Sequence, residues 1–449
     1  MNKLPALFLM LATTGCYIIE PDPVPCSAAA PSCVPPPEVT DVMTVTPNLD
    51  LLFVIDDSPT MIDKQRSFQT AFPSLLDKLA RIEGGLPNLH LAVVSSDMGT
   101  SAVDDEQAGP QIGAPGQGGC ASFGKAGVFQ LGQATLPDQD DRFVRALRNG
   151  ETNFEGTLAE TFTAMSALGA TGCGFEQPLA AMQASLSGPT DNAGFLREGA
   201  NLAVIILSDE DDCSAEHTTL FGPDGGPLGP LQSFRCFRFG VECDQATDTL
   251  GSKTNCRPAA AQHVASISPF SSFLSGIKGD PTRVMFGAIV GTEAPIEVES
   301  RQINGANQTA LKPACGYTPL GGGADVTADP GVRFAAFADG FEGISRLESI
   351  CSEDLTAAAS NLGDSLAELM GNSCLPFAIS NEADCFVEDR RDAEPGIVNN
   401  LQACSTIDGV GANCFSLASD PTCTSGQRLS ISRPIPPRGD EWSKLRCRF

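Results

Sequence analysis

Two runs of apolar residues that each lead into an acidic residue constrain the fold of this chain most strongly. The first run is Leu-Leu-Phe-Val-Ile at residues 51–55, and Asp56 follows it directly. The second is Leu-Ala-Val-Ile-Ile-Leu at residues 202–207, followed by Ser208 and Asp209. Short strands without polar residues on either face are typical of parallel sheets that are covered on both faces. We therefore expect both acidic residues at the carboxyl edge of one buried sheet.

Helical and strand-like patterns alternate along most of the chain. Apolar residues recur at helical spacing, as at Phe68, Phe72 and Leu75, in several segments between the strand-like runs. Strands that alternate with helices predict βαβ units. The predicted fold class is accordingly α/β, with a doubly wound, mostly parallel sheet of the Rossmann-like kind. The segments with these patterns are strands at 49–56, 89–95, 202–207 and 283–290 and helices at 60–82, 157–168, 176–186, 332–341 and 354–370.

Composition narrows the classes of partner. The 449 residues are 42% apolar and 18% charged, which is enough apolar material for a sizeable core. The net charge of −27 argues against nucleic acid and against an anionic membrane surface as binding partners. It favours cations or basic surfaces, or it simply keeps a secreted protein soluble.

The amino terminus has the pattern of a short signal peptide. The apolar stretch at residues 4–12 is too short to span a membrane, and the small residues before Cys16 resemble a bacterial lipobox. Thr13 stands where a lipobox usually has Leu. We predict that Cys16 is lipidated and anchors the chain to the cell envelope without a transmembrane segment. Because Tyr17 rather than Asp follows Cys16, we expect the outer membrane.

The cysteine count predicts a disulfide-stapled protein. Without Cys16, the 17 cysteines leave 16, enough for eight disulfides in an oxidising compartment. None of the 16 lies in a C-x-x-C pair, which argues against a zinc ribbon or a thioredoxin-type site. Cys26 and Cys33 could close a small loop near the amino terminus. Cys120 and Cys173 could pair and hold the loop around residue 171, which is a hypothesis.

The turn after the first strand has the ligand spacing of a divalent-cation site. Asp56, Ser58 and Thr60 provide one carboxylate and two hydroxyl groups at alternate positions. Mg²⁺ prefers oxygen ligands in octahedral geometry and keeps several waters. Such a turn covers one face of the ion and leaves the opposite face open. The same residues also fit a plain strand-to-helix turn, with Ser58 as the N-cap and Pro59 as the first helical residue.

Two later loops offer further oxygen ligands. Asp209 ends the second apolar strand, and Thr171 begins the sequence Thr-Gly-Cys-Gly just before a helix. In an open α/β sheet, ligands bind beyond the carboxyl ends of the strands. We therefore expect these loops to meet the turn at Asp56.

These residues resemble the von Willebrand factor type A (vWA) domain, whose metal-ion-dependent adhesion site (MIDAS) combines D-x-S-x-S/T with a distant Thr and a distant Asp. Asp56, Ser58 and Thr60 match the first element, Thr171 the second and Asp209 the third, in the family's order. The chain is most similar to the cysteine-rich vWA lipoproteins of Gram-negative bacteria. The resemblance implies direct contact between the hydroxyls and the cation, with both aspartates acting partly through water. The implied cation is Mg²⁺, with Mn²⁺ or Ca²⁺ as alternatives, and an acidic side chain of a partner protein would take the open position.

The resemblance covers residues 48–371, and composition and cysteine content predict the segments on either side of it. The segments are a signal peptide with lipobox at 1–16, a Pro-rich extended tether at 17–47, a vWA domain at 48–371 with a cysteine-rich insertion near 213–280, and a small, disulfide-rich, mostly β C-terminal domain at 372–449.

Other motifs point to no further chemistry. The acidic run at 209–212 lacks the Gly and Glu positions of an EF-hand, and no H-E-x-x-H, G-x-S-x-G or phosphate-loop pattern occurs. We expect the extra acids of this run to tune the site or to face solvent. His90 is predicted to be structural, and His217 and His263 to lie on the surface.

Three classes of function are open at this point. The leading prediction is a non-enzymatic lipoprotein of the cell envelope that binds a protein partner through the metal. The alternative is a structural scaffold of the envelope in which the metal only stabilises the fold. A metal-assisted hydrolase with Asp209 as the base is the third, although neither an activated nucleophile nor a His base is predicted near these loops.

Overall fold

The computed structural model describes residues 39–82, 85–188, 190–303, 305–371, 373–391, 396–407, 413–421, 423, 425–433 and 441–448. Within these residues the chain forms seven α-helices and nineteen β-strands. The helices are α1 Ile62–Leu79, α2 Leu158–Met165, α3 Pro178–Ser187, α4 Phe234–Gly240, α5 Ser268–Gly276, α6 Val332–Asp339 and α7 Thr356–Gly371. The strands are β1 Val39–Val45, β2 Asn48–Ile55, β3 Asn88–Ser95, β4 Val144–Ala146, β5 Asn201–Leu207, β6 Val241–Glu242, β7 Gly251–Ser252, β8 Arg257–Pro258, β9 Val284–Val290, β10 Glu297–Ile303, β11 Ala306–Leu311, β12 Cys315–Tyr317, β13 Val326–Ala328, β14 Ile344–Ser349, β15 Cys385–Arg391, β16 Ile397–Ala403, β17 Cys414–Ser419, β18 Gln427–Ser432 and β19 Glu441–Arg448.

A central sheet of six strands has the order β14-β9-β5-β2-β3-β4. Its first five strands are parallel, and the short edge strand β4 runs antiparallel to β3. Every residue of β2, β3, β5 and β9 is buried. Side chains alternate between the two faces of β2, so that Leu51, Phe53 and Ile55 join one apolar core and Leu52 and Val54 join the other.

Helices cover both faces of this sheet. On one face Phe68 and Phe72 of α1 pack with Phe162 of α2 and Phe53 of β2, with ring centroids 3.7–6.5 Å apart. Helix α7 joins the same core, and α3, α5 and α6 bury their apolar residues on the opposite face. Burial of each such ring stabilises the fold by about 1.5–3 kcal/mol. The packed core on both faces of the sheet therefore fixes the positions of the loops at the carboxyl ends of the strands.

The predicted fold class, a doubly wound, mostly parallel, Rossmann-like sheet, is wrong for this chain. Nine of the fourteen strand pairings among the described residues are antiparallel, and each of the five sheets contains at least one of them. The architecture is instead a mixed α/β one with parallel and antiparallel sheets and several disulfides. The prediction failed because apolar runs identify only strands that are buried on both faces. Strand β10, which pairs antiparallel with β11 and exposes several residues, carries no such run.

A second six-stranded sheet joins the two ends of the described chain, in the order β1-β19-β15-β16-β17-β18. Strand β1 pairs antiparallel with β19, with Val39 opposite Arg448. Residues 39–45, which the sequence analysis assigned to the tether, are therefore a strand, in keeping with their high content of Val and Thr. Residues 1–38 lie outside the described residues, and with them the predicted signal peptide, Cys16 and the Cys26–Cys33 loop. None of the helices described is both long and apolar enough to cross a bilayer.

The second sheet contacts the central one at the amino end of β5. Trp442 of β19 lies against Gly199, where a Cβ atom would come within 2.1 Å of the indole Nε1. This contact lies at the end of the sheet opposite to the loops that carry Asp56 and Asp209.

Disulfide bonding of the cysteines is confirmed for fourteen of them. The two hypothesised partners Cys120 and Cys173 are joined. The other pairs are Cys213–Cys236, Cys243–Cys256, Cys315–Cys351, Cys374–Cys423, Cys385–Cys447 and Cys404–Cys414.

Candidate functional site

The turn after β2 is held in place by its own hydrogen bonds. The backbone N–H of Ser58 donates to Asp56 Oδ1 at 2.8 Å, and the Ser208 hydroxyl donates to Asp56 Oδ2 at 2.8 Å. The Ser58 and Thr60 hydroxyl oxygens are 3.4 Å apart. Asp56 and Ser58 are buried, whereas Thr60 is exposed. The three predicted ligands of the first element therefore lie together, with the two hydroxyls side by side.

Helix α1 does not begin as the simpler interpretation of this turn predicted. Its first residue is Ile62 and its N-cap is Met61, which makes no side-chain capping bond. Ser58 accepts a backbone hydrogen bond from Met61 at 3.1 Å and so belongs to a separate turn. Ser58 is not an N-cap and Pro59 is not the first helical residue, and the Ser58 side chain is left available to the site.

Asp209 lies at the same edge of the sheet and is paired with Lys64. The Lys64 ammonium donates to Asp209 Oδ2 at 2.5 Å and to the carbonyl of Thr60 at 3.2 Å, and both charged side chains are buried. The other carboxylate oxygen, Asp209 Oδ1, is buried without a hydrogen-bond partner. Lys64 lies in the first turn of α1, where the helix dipole disfavours a positive charge. The ion pair with Asp209 offsets the unfavourable interaction between Lys64 and the helix dipole.

The loop that carries Thr171 is fastened to the turn at Asp56 by Asp57. The backbone N–H of Gly172 donates to the Asp57 carbonyl at 2.8 Å, and a Cβ atom at this glycine would come within 2.2 Å of Asp57 Oδ1. Asp57 is itself buried, accepts from Ser95 Oγ at 2.7 Å and forms an ion pair with Lys125. The close approach of the two loops thus requires glycine at 172.

The Cys120–Cys173 disulfide holds the other side of this loop. Cys173 is buried, and the next residue donates from its backbone N–H to the Gly118 carbonyl at 3.0 Å. Thr171 is exposed, two residues before Cys173. The structure therefore brings the Thr171 loop against the turn at Asp56, with the Thr171 side chain at the surface.

Several buried carboxyl groups lie close enough to these residues to influence their ionisation. Burial, and next the charge of Asp209, raises the pKa of Asp56 to about 7, and the same two causes raise the pKa of Asp329 to about 7. Burial, and next the facing Glu210, raises the pKa of Glu176 well above its usual value. Burial, and next the charge of Asp329, does the same for Glu210. A bound divalent cation is the kind of charge that reverses such shifts.

Two of the four residues in the acidic run at 209–212 have structural partners instead. Asp211 accepts from the backbone N–H of Arg333 in the first turn of α6 at 2.9 Å. Asp212 accepts from the backbone N–H of Leu179 in the first turn of α3 at 3.0 Å and from the Arg333 guanidinium at 2.9 Å. The expectation that these extra acids face solvent is therefore wrong for Asp212, which is fully buried. Asp211 and Asp212 each hold a helix end.

A cleft of about 390 Å³ opens above the candidate site. Of the five predicted ligands, Thr60 and Asp209 line it, together with Lys64, Glu210 and Asp329. The hairpin of β10 and β11 and strand β13 form another part of its wall. The wall residues that line the cleft include Arg301, Ile303, Ala310, Leu311, Val326 and Ala328. A ligand of this site would therefore enter a walled cleft rather than meet a flat surface.

The donor set fits a hard divalent cation. Two carboxylates and two neighbouring hydroxyls are oxygen ligands of the kind Mg²⁺ prefers, and the unpartnered Asp209 Oδ1 is an acceptor that a cation would satisfy. A cluster of three or more His, Cys, Asp or Glu side chains with metal-binding geometry does not occur within the described part of the chain. Such an ion would thus depend on the hydroxyls, and its positive charge would face the ammonium of Lys64.

Sequence reasoning missed Lys64, Asp57 and Glu176 as parts of this site. A lysine in the first turn of a helix is unfavourable and was a readable signal for Lys64. Asp57 directly follows Asp56, and this second carboxylate in the same turn was the signal for it. Glu176 gave no signal, because its burial follows from the packing of loops distant in sequence.

Comparisons with known proteins assign no family. No family model matches the chain, and no curated protein matches it. Among solved structures it is similar to the three N-terminal domains of the type V pili tip protein Mfa5 from Porphyromonas gingivalis, at 13% identity and a TM-score of 0.22. The alignment covers 91% of this chain and 62% of that one, so the chain spans about three fifths of the structure it matches. A likeness at this score carries no argument about fold or function.

Proposed function

We propose that this protein binds a partner protein through a divalent cation held by Asp56, Ser58, Thr60, Thr171 and Asp209. The observation that supports the proposal is the meeting of three loops at one edge of the central sheet, where Asp209 Oδ1 is buried and unpartnered. The proposed cation is Mg²⁺, with Mn²⁺ or Ca²⁺ as alternatives, as the resemblance to the vWA adhesion site implies. An acidic side chain of the partner completes the coordination.

The cleft above the site defines what kind of partner group can reach it. Its lining carries more acidic than basic side chains, with Asp63, Asp325 and Asp329 beside Arg301 and Lys64. An acidic ligand is therefore repelled unless a cation is bound, so partner binding depends on the metal. The proposed location is the cell envelope, through a lipid at Cys16.

We propose a binding role rather than catalysis. Each histidine has a partner outside the cleft: His90 bonds the Phe195 carbonyl, His217 pairs with Asp105 and His263 bonds Thr219. Asp209 is engaged by Lys64, which argues against a role as a free general base.

Calorimetric titration of the purified protein with Mg²⁺ and with Mn²⁺ tests this proposal. We expect binding by the wild-type protein and its loss in Asp56→Ala, and unchanged binding in the control Asp77→Ala, whose carboxylate is exposed on α1 outside the cleft. A metal-dependent pull-down with the same three proteins then tests for a partner. Wild-type protein that gives no heat with either ion would rule out the metal-bridged mode.

The ion pair between Lys64 and Asp209 favours a second candidate function, that of an envelope scaffold. The ammonium already supplies one positive charge to the site, and the site could then serve mainly to stabilise the fold. In that case Asp56→Ala lowers the melting temperature without loss of any partner in the pull-down.

A further inference from the structure

A groove between helices α1 and α2 lies beside the candidate site. It encloses about 560 Å³, which is within the roughly 300–1,000 Å³ of typical ligand sites. Helix α1 lines it with the long polar side chains of Gln65, Arg66 and Gln69. Helix α2 lines it with small side chains, among them Ala159 and Ala164. A ligand in the groove can therefore come close to α2 while the polar groups of α1 hold it.

Gln65 joins this groove to the candidate site. Its Nε2 donates to the carbonyl of Asp56 at 2.8 Å and to the carbonyl of Gly169 at 2.9 Å. Because both partners are carbonyl oxygens, which only accept, the orientation of the side-chain amide is fixed. The Oε1 atom is buried and has no hydrogen-bond partner among the described residues. A buried acceptor without a donor is unfavourable, so the groove favours a ligand that donates a hydrogen bond to Gln65.

The groove is continuous with the cleft above the candidate site. Ile62, the first residue of α1, lines both of them. Gly169 lines the groove two residues before the predicted ligand Thr171. A chain segment that places an acidic side chain on the cation can therefore continue past Ile62 into the groove.

The lining of the groove is suited to a neutral ligand with both donors and acceptors. Arg66 pairs with Asp63 at 3.3 Å, and the Glu160 carboxylate caps the start of α2. These two charges are opposite in sign and both have partners, so the groove does not favour a charged ligand. Gln69 and Gln133 each offer a side-chain amide, which can donate and accept. Main-chain N–H and C=O groups of an extended peptide have the same pair of functions.

We propose that the groove between α1 and α2 binds the main chain of an extended peptide segment of the partner protein. A main-chain N–H of this segment donates to Gln65 Oε1, and the side-chain amide of Gln69 bonds the next part of the main chain. Such bonds give affinity with little dependence on the sequence of the segment. The inference rests on the proposed function, because the segment is the one whose acidic side chain reaches the cation.

Peptides selected from a random library on the wild-type protein in Mn²⁺ test this inference. Fluorescence polarisation then measures their binding to the wild type and to four variants. Gln69→Ala removes an amide from the groove, Thr163→Trp adds a bulky ring at an exposed lining position of α2, and Asp56→Ala removes a predicted cation ligand. The control Gln183→Ala removes a half-buried glutamine of α3, on the opposite face of the sheet. We expect about tenfold weaker binding in both groove variants and wild-type binding in the control, with thermal unfolding as the check of the fold.

Peptides that are methylated at single main-chain nitrogens locate the predicted bond to Gln65. Methylation removes one N–H donor and leaves the side chains unchanged. We expect one position near the acidic residue at which methylation weakens binding to the wild type about tenfold. The same methylation should make little difference in Gln65→Met, which lacks the acceptor, because two changes that remove one bond are not additive.

The outcomes separate this inference from the proposed function. Peptides that need Mn²⁺ and Asp56, but bind both groove variants like the wild type and tolerate methylation at every position, overturn the inference and leave the proposed function intact. Peptides that need the groove but bind equally well in chelator overturn the proposed function instead. A selection that yields no peptide from a protein that binds Mn²⁺ overturns the groove as a peptide site.

Discussion

At the scale of single residues, Lys64 decides how the candidate site behaves without a metal. Its ammonium is the buried counter-ion of Asp209 and sits where a divalent cation would also be attracted. The Lys64 ammonium and a divalent cation would compete for the same carboxylate. The affinity for the cation would therefore depend on how much more strongly Asp209 attracts the cation than the ammonium. In the proposed function, the lysine therefore stabilises the metal-free site and lowers its affinity for a cation.

Lys64→Met should destabilise the metal-free protein by about 3–5 kcal/mol, because it leaves Asp209 buried and unpaired. Saturating Mn²⁺ should restore most of that loss, and the variant should bind Mn²⁺ more tightly than the wild type. Urea unfolding with and without Mn²⁺ measures both effects. The control Lys78→Met breaks a partly exposed pair with Asp364 and should cost at most about 1 kcal/mol. A Lys64→Met protein as stable as the wild type in chelator would contradict this account.

His90 makes the stability of the fold depend on pH. Burial, and next the charge of Arg197, lowers the pKa of His90 from 6.5 to about 4. The unfolded chain therefore binds this proton at a higher pH than the folded one, so the contribution of His90 is present above pH 6.5 and is lost as the pH falls toward 4. The raised pKa values of Asp56, Asp211 and Asp329 act in the opposite direction, because acid neutralises those carboxylates in the fold.

Comparison with a variant isolates the histidine from those carboxyl groups. Between pH 8 and pH 5 the wild type should lose about 2 kcal/mol more stability than His90→Gln. Urea unfolding of both proteins at the two pH values measures the difference. If both proteins lost the same unfolding free energy between pH 8 and pH 5, His90 would not be the group responsible.

At the scale of elements, the Cys120–Cys173 disulfide holds the Thr171 loop against the turn at Asp56. The bond closes a sequence separation of 53 residues, which corresponds to about 3–4 kcal/mol of stabilisation. Because Cys173 is two residues after Thr171, its loss also loosens a predicted cation ligand.

Cys120→Ser combined with Cys173→Ser should therefore lower both the unfolding free energy and the affinity for Mn²⁺. The matched control is Cys404→Ser with Cys414→Ser, a disulfide of the second sheet that should affect stability alone. Calorimetric titration compares the affinities. Equal Mn²⁺ affinity in the two double variants would mean that the disulfide does not position the site.

The elements also show what could be read from the sequence. Strands β2 and β5 and helix α1 lie where their patterns predicted them. An element that is buried on one or both faces needs apolar residues at regular spacing, and this spacing is visible in the sequence. Strand β1 pairs with β19 across almost the whole chain, and β10 to β13 form hairpins with exposed residues. Neither feature leaves a local pattern, which is why the fold class was predicted wrongly. The turn at Asp56 and its meeting with Asp209 followed from the two buried strands, whereas Lys64 and Glu176 depend on packing between distant loops.

At the scale of the whole molecule, the second sheet is attached opposite to the candidate site. Trp442 lies against Gly199 at the amino end of β5, and Asp209 follows the carboxyl end of the same strand. Seven residues of strand separate the two ends, which is about 23 Å. The arrangement leaves the cleft unobstructed by the second sheet.

Gly199→Ala should disturb this attachment, because the added methyl group would overlap the indole of Trp442. We expect a loss of about 1–3 kcal/mol and a shift in the fluorescence of Trp442, which is the one tryptophan of the chain. The control Gly276→Ala adds a methyl group with nothing within 4 Å and should change neither. Unchanged fluorescence in Gly199→Ala would show that the two sheets are not joined at this point.

A crystal structure of the protein grown with Mn²⁺, with anomalous diffraction recorded at the manganese edge, tests the central claim most directly. We predict an anomalous peak at the edge of the sheet, within about 2.0–2.6 Å of the hydroxyl oxygens of Ser58 and Thr60. We also predict that the Lys64 ammonium moves away from Asp209. No peak at this edge, with Lys64 still bound to Asp209, would contradict this claim.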